Sequence, residues 1–173
     1  MKKLILYSLL LANIAFCQSV DNKEKYFKSQ YDTIVKKTFV LDLEDLFDKT
    51  QIKEFDNLIA EFEKETSIEI AIITFNDNYV SDEDFHQNTL FVANRIGIGK
   101  KELNNGILIG ISIKSRKIRI ENGDGILAIL TDEETKSIID KSFIQNFKQA
   151  KFYEGTKEGL KMIIQHLKTK LKQ

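Results

Sequence analysis

A chain of 173 residues is long enough for one ordinary domain behind a leader, and 42% hydrophobic content is that of a globular protein with a real core. Lys+Arg and Asp+Glu both number 26, so the formal charge is zero and bulk electrostatics give no case for nucleic acid or an anionic membrane as partner. Proline is absent and there are only 8 glycines, so each glycine carries positional meaning.

Met1-Lys2-Lys3 is a basic start, and Leu4 to Phe16 is an apolar stretch too short to span a bilayer comfortably. Ala15-Phe16-Cys17 fits a small-x-small cleavage pattern that releases Gln18. Residues 1–17 therefore read as a signal peptide, and the mature chain is expected to be exported, periplasmic or secreted. The rival reading is a lipoprotein anchored through Cys17; the bulky Phe16 before it speaks against that. Cys17 is the single cysteine. Cleavage after it leaves a domain without disulfides, thiol catalysis or Cys-based zinc sites. Residues 18–37 are polar and mixed in charge, a lead-in tether, and the domain proper is expected over 38–173.

Phe39-Val40-Leu41-Asp42-Leu43 is a short extended entry, with Asp42 either a turn carboxylate or an oxygen ligand. Asp48 or Thr50 caps a helix to about Thr66, whose apolar face is Ile52, Phe55, Leu58, Ile59 and Phe62. Ile68 to Phe75 is nearly all apolar and β-branched, as in a strand buried on both faces. After the polar loop 76–84, Ser81 with Asp84 makes a capping-box variant for a helix to about Ile96, and Gly97-Ile98-Gly99 stops it. Asn104-Asn105-Gly106 then opens a hairpin: Ile107 to Ile113, the turn Lys114-Ser115-Arg116, and alternating Lys117 to Glu121. Gly123 and Gly125 flank Asp124, and Thr131-Asp132 starts a helix to about Gln149 with Ile138, Ile139, Phe143 and Phe147 inward. A last helix runs from about Tyr153 to Lys170 with Leu160, Ile163, Ile164 and Leu167 inward. This order predicts an α/β fold, a three-layer αβα sandwich with a mixed central sheet.

The chemistry is narrowed by what is missing. His86 and His166 stand alone on helices, no Gly-x-Ser-x-Gly elbow or phosphate loop occurs, and no side-chain nucleophile stands out, so no catalytic residue is assigned. Acidic and amide oxygens gather at the loop ends instead: Asn104, Asn105, Glu121, Asp124 and Asp132. Such ligands suit Ca²⁺ or Mg²⁺, and any site must be assembled from distant segments because the spacing is not an EF-hand. The bland alternative is that Asp124 is a turn residue and Asp132 a helix cap.

Several short pieces, each weak alone, fall in one order: Val40-x-Asp42, Thr66 before the Glu69–Phe75 strand, Arg95-Ile96-Gly97-Ile98-Gly99, Asn105-Gly106, Arg116 to Glu121 followed by Gly123-x-Gly125, and Leu130-Thr131-Asp132. In this arrangement the chain resembles the TPM domain family, found in thylakoid lumen proteins and in many exported bacterial proteins, from about Val40 to Leu167. The resemblance implies an αβα sandwich. It also implies either divalent-cation binding or an activity like that of acid phosphatases on phosphomonoesters. The matching positions are Asp42, Asn105, Glu121 and Asp132, shaped by Gly123 and Gly125, with Asp42 as the ligand opposing Asp132. Three departures stand out: Asn104 where Asp is common, Asp124 where an aromatic is common, and Asn146 in place of a frequent proline. The expectation is thus an exported, monomeric, non-catalytic envelope module. It would bind Ca²⁺ or Mg²⁺ in loops at one end of the sheet, with an envelope protein as partner, no nucleic acid and no transmembrane helix in the mature chain. A metal-dependent phosphatase is the alternative.

Overall fold

The computed structural model describes residues 38–76 and 85–172. The expected signal peptide, the lead-in and the Ser81/Asp84 cap lie outside the described residues. Four strands form one sheet in the order β1 (Val40–Asp42), β2 (Glu69–Thr74), β3 (Gly106–Ser112), β4 (Lys117–Asn122). The first three are parallel and β4 runs antiparallel to β3, as expected of a mixed sheet.

Two helices alternate with the parallel strands. α1 (Lys49–Thr66) begins at Asp48, whose carboxylate accepts from the Thr50 and Gln51 amides while Gln51 bonds back to the Asp48 amide. That capping box satisfies donors that the first helical turn leaves unpaired. α2 (Phe85–Ile96) lies on the opposite face of the sheet. Side-chain alternation along the strands sorts the core into two. Ile70, Ile72, Ile107, Ile109, Ile111 and Ile120 pack with Phe55, Ile59 and Phe62 of α1 and with the C-terminal helices. Leu41, Ala71, Ile73, Phe75 and Leu108 pack with Phe85 and Val92 of α2. Each fully buried Ile, Leu or Phe contributes about 1.5–3 kcal/mol by leaving water, so these two layers hold the domain together.

The C-terminal half departs from the expected pattern in two places. Asp124–Leu127 forms a one-turn helix, α3, that drops Ile126 into the core, with Leu130 buried just behind it. Four residues are too few for a helical period, so sequence patterning is silent there. The helix expected over 132–149 is divided: α4 (Asp132–Ile138), a π-helical turn (Ile139–Phe143) and α5 (Ile144–Phe147). The Ser142 hydroxyl bonds back to the Ile138 carbonyl at 2.6 Å inside that turn. α6 (Phe152–Lys170) closes the chain. Among the described residues no helix is long and apolar enough to cross a membrane.

Phe143 lies against Gly159 of α6, where an added Cβ would stand 1.9 Å from the ring. Gly159→Ala gains about 1 kcal/mol of helix propensity, but overpacking a fully buried ring costs about 1–3 kcal/mol and wins. Urea denaturation of this variant should show a net loss of stability. A second expectation concerns acid. Hydrogen bonds from Lys157, then from the Tyr153 hydroxyl, hold the Glu54 carboxyl below its ordinary value of 4.5. A depressed carboxyl stabilises the fold above its unfolded pKa and loses that contribution as pH falls through the folded one. Glu54→Gln should therefore lose a contribution at neutral pH, small because an exposed pair counts for little, and flatten the stability–pH curve below 4.5 so that variant and parent converge in acid.

Candidate functional site

The loop ends that gather oxygens are shaped by close backbone packing. Asn104 adopts a left-handed conformation, φ 43°, which asparagine tolerates better than most residues. Its carbonyl accepts from the Gly125 amide at 3.0 Å. A Cβ on Gly123 would lie 2.2 Å from that carbonyl oxygen, and one on Gly125 would lie 2.1 Å from the Leu103 carbonyl oxygen. The two glycines thus let the 103–104 loop sit directly on the start of α3. Asp124 is carried there, with its carboxylate accepting from the Asn104 side-chain amide at 3.1 Å.

Glu121 comes to the same place from β4. Its side chain is 10% exposed and points to the α2 side of the sheet. One oxygen, Oε1, accepts from the Thr89 hydroxyl at 2.5 Å and from Arg119 Nε at 3.2 Å, and faces His86 Nδ1 at 3.2 Å. Among the described residues the other oxygen, Oε2, has no hydrogen-bond partner. Asn104, Glu121 and Asp124 line one cleft of about 260 Å³ between α2 and the glycine loop, with Asn94, Asn122 and Gly123. Among the described residues no Lys or Arg lines it. Asn122 turns its amide nitrogen to Thr135 Oγ1 at 2.9 Å, and its Oδ1 is buried without a partner among the described residues.

The other three expected site residues are elsewhere. Asp42 ends β1, paired with Thr74, which is level with Ile111 near the far end of β3. Asn105 precedes β3, so six residues, roughly 20 Å at ~3.3 Å per residue, separate the two levels. The expectation that Asp42 opposes the other ligands at one end of the sheet is thereby corrected. Because β1 runs parallel to β3, its last residue lies at the opposite edge from the first residue of β3. The Asp42 carboxylate instead accepts from the Phe47 amide at 2.7 Å and the Thr74 hydroxyl at 2.6 Å, the turn role that was the alternative. Nearby Glu44 accepts from the Ile113 amide at 2.9 Å and so ties the β1–α1 turn to the end of β3. No local pattern around Glu44 betrays that long-range contact.

Asn105 is 7% exposed and serves as a latch. Its Oδ1 accepts from the Lys100 amide at 2.8 Å and its Nδ2 donates to the Ser67 carbonyl at 2.7 Å, joining the 97–104 loop to the end of α1. Asp132 is exposed in the first turn of α4, beside the Thr131–Glu134 capping box, and does not line the cleft. Among the described residues no group of three or more His, Cys, Asp or Glu side chains is placed to hold a metal. The oxygens at the cleft come from two carboxylates, with side-chain amides and backbone beside them. Asn105→Ala leaves the Lys100 amide and the Ser67 carbonyl unpaired. It should cost about 1–3 kcal/mol in chemical denaturation.

The chain's fold is shared with solved structures. The N-terminal domain of a protein from P. gingivalis superposes with a TM-score of 0.74 at 24% identity, covering 83% of this chain and 90% of that one. The BA42 protein of the psychrophilic bacterium Bizionia argentinensis gives 0.64 at 22% identity, covering 74% and 86%. The N-terminal domain of the cg2496 protein of Corynebacterium glutamicum gives 0.54 at 14% identity, covering 77% and 79%. At these identities the likeness concerns the fold. No curated protein matches the sequence. A family model described as the TPM domain matches residues 40–166, across all four strands and nearly all of the last helix, and the chain belongs to that family.

Proposed function

We propose that this TPM domain is an exported, non-catalytic module that binds a divalent cation in the cleft between α2 and the glycine loop. The observation that carries the reading is that Asn104 from one stretch and Glu121 and Asp124 from another line one cleft, whose lining among the described residues includes no cationic side chain. Asp124 supplies the exposed carboxylate, Glu121 the oxygen without a partner among the described residues, and Asn104 an amide oxygen. Hard oxygen donors of this kind suit Ca²⁺ or Mg²⁺. With two carboxylates the affinity belongs with extracellular modules, about 10⁻⁴–10⁻³ M. Export rests on the Lys2-Lys3 start and the apolar Leu4–Phe16 stretch.

The phosphatase alternative has less support from this cleft. Phosphomonoester hydrolysis needs a cradle for the phosphate besides any metal, and among the described residues no Lys or Arg lines the cleft to provide one.

A cation that binds the folded state raises the melting temperature increasingly with its concentration. Ca²⁺ titration of the purified protein should show this rise, with saturable NMR shifts at Asn104, Gly123 and Asp124. Asp124→Ala should weaken binding at least tenfold, while Asp42→Asn and Asp132→Asn leave it unchanged. A melting temperature indifferent to millimolar Ca²⁺ and Mg²⁺ would sink the proposal, as would equal binding by Asp124→Ala.

A further inference from the structure

The cleft between α2 and the glycine loop is lined by two kinds of residue. Asn94, Asn104, Glu121, Asn122 and Asp124 bring polar side chains to it, and Leu90, Ala93, Ile98 and Leu108 bring apolar ones. A metal ion has a use for the oxygens only. At about 260 Å³ the cleft falls below the roughly 300–1,000 Å³ of a drug-sized pocket and suits one long side chain. Its apolar character continues outside. Five large hydrophobic side chains are exposed among the described residues, and four of them, Leu90, Phe91, Leu103 and Leu127, belong to the segments that form the cleft. Leu103 precedes Asn104, and Leu127 lies three residues beyond Asp124 in the single turn of α3.

The oxygens still free fix the kind of group that can enter. Thr89, Arg119 and His86 all meet Glu121 at Oε1, and among the described residues Oε2 has no partner although the side chain is only 10% exposed. Asp124 accepts from the Asn104 amide through Oδ2, and no cation among the described residues pairs with it. What remains is one oxygen on each carboxylate and the Asn104 side-chain oxygen. A guanidinium fork wants both oxygens of one carboxylate, and neither carboxylate offers two. An ammonium has three separate donors and is served by three single acceptors. Arg95, Lys100 and Lys101 lie on the neighbouring segments but do not line the cleft, so no cation of this chain among the described residues takes that place.

We propose that the cleft receives a lysine side chain of a partner polypeptide. The ammonium donates to Asn104, Glu121 and Asp124, the methylene stem lies along Leu90, Ala93 and Ile98, and apolar neighbours of that lysine rest on Leu103 and Leu127. A long apolar stem with a charged head matches a lining that is part apolar and part acidic. A free amine would leave the exposed leucines without a role, which favours a polypeptide as the source. The ammonium and a metal ion need the same oxygens and exclude one another. The lysine site uses no bound metal and does not rest on the cation reading.

The probe is a capped tripeptide with lysine between two leucines, titrated into the ¹⁵N-labelled protein in EDTA so that no metal takes part. It should bind saturably, with shifts centred on Asn94, Asn104, Gly123 and Asp124. Norleucine in place of the lysine keeps the stem, loses the ammonium and should weaken binding at least tenfold. Free pentylamine should bind at least threefold more weakly than the peptide. Asp124→Asn, at an exposed position, should weaken peptide binding at least fivefold and Leu90→Ala at least threefold, each with an otherwise unchanged spectrum. Absence of saturable binding, or shifts centred elsewhere, overturns the proposal. So does a norleucine or arginine peptide that binds as well as the lysine one, and so does undiminished binding by Asp124→Asn. Pentylamine that binds as tightly as the peptide overturns the polypeptide as the source of the amine.

Discussion

Strand β3 is buried along its whole length, from Gly106 to Ser112, and the molecule is built to keep it so. Its odd-numbered isoleucines face α1 and α6, while Leu108 faces α2. Gly110 lets α2 come close: a Cβ there would meet Thr89 at 2.8 Å. A strand without a solvent face needs a layer on either side, and that requirement places α2 opposite the remaining helices. It also needs neighbours for both rows of its backbone groups, which β2 and β4 supply.

The ends of β3 inherit this rigidity. At its start, Asn105 ties the incoming loop to α1, and the glycines at 123 and 125 let the next loop lie against Leu103 and Asn104. At its far end, Glu44 and Asp42 hold the β1–α1 turn through the Ile113 amide and the Thr74 hydroxyl. Carboxylates and amides are therefore used twice, once as structural clamps and once around an open cleft. Side-chain type does not distinguish the two uses. The distinction lies in whether the lone pairs already have a donor. Asp42 is spent on the Phe47 amide and the Thr74 hydroxyl and Asn105 on backbone partners, whereas among the described residues Glu121 retains an oxygen without a donor, and Asp124 is exposed.

β4, like β1 at the other side of the sheet, has only one of its edges paired among the described residues. Its alternation carries apolar side chains to one core and Lys117, Arg119 and Glu121 to the α2 side. The same alternation that buries Ile118 and Ile120 turns their backbone groups outward.

The sequence alone determined much of the architecture. Helical spacing marked α1 and α6, the β-branched run marked β2, and the Asn-Gly opening with its alternating second half marked the hairpin. Period and turn chemistry are local properties, so they are legible in order along the chain. The short α3 and the π-helical turn at Ile139–Phe143 were not legible. One is too brief to show a period, and the other is a change of hydrogen-bond partner within an apolar pattern that stays helical. Of the oxygen-bearing residues read as one site, tertiary structure alone decided which meet. Strand direction and register put Asn104, Glu121 and Asp124 around one cleft, and the parallel run of β1 carried Asp42 to the opposite edge, because a residue's place in a sheet depends on its neighbours' direction and not on its own sequence.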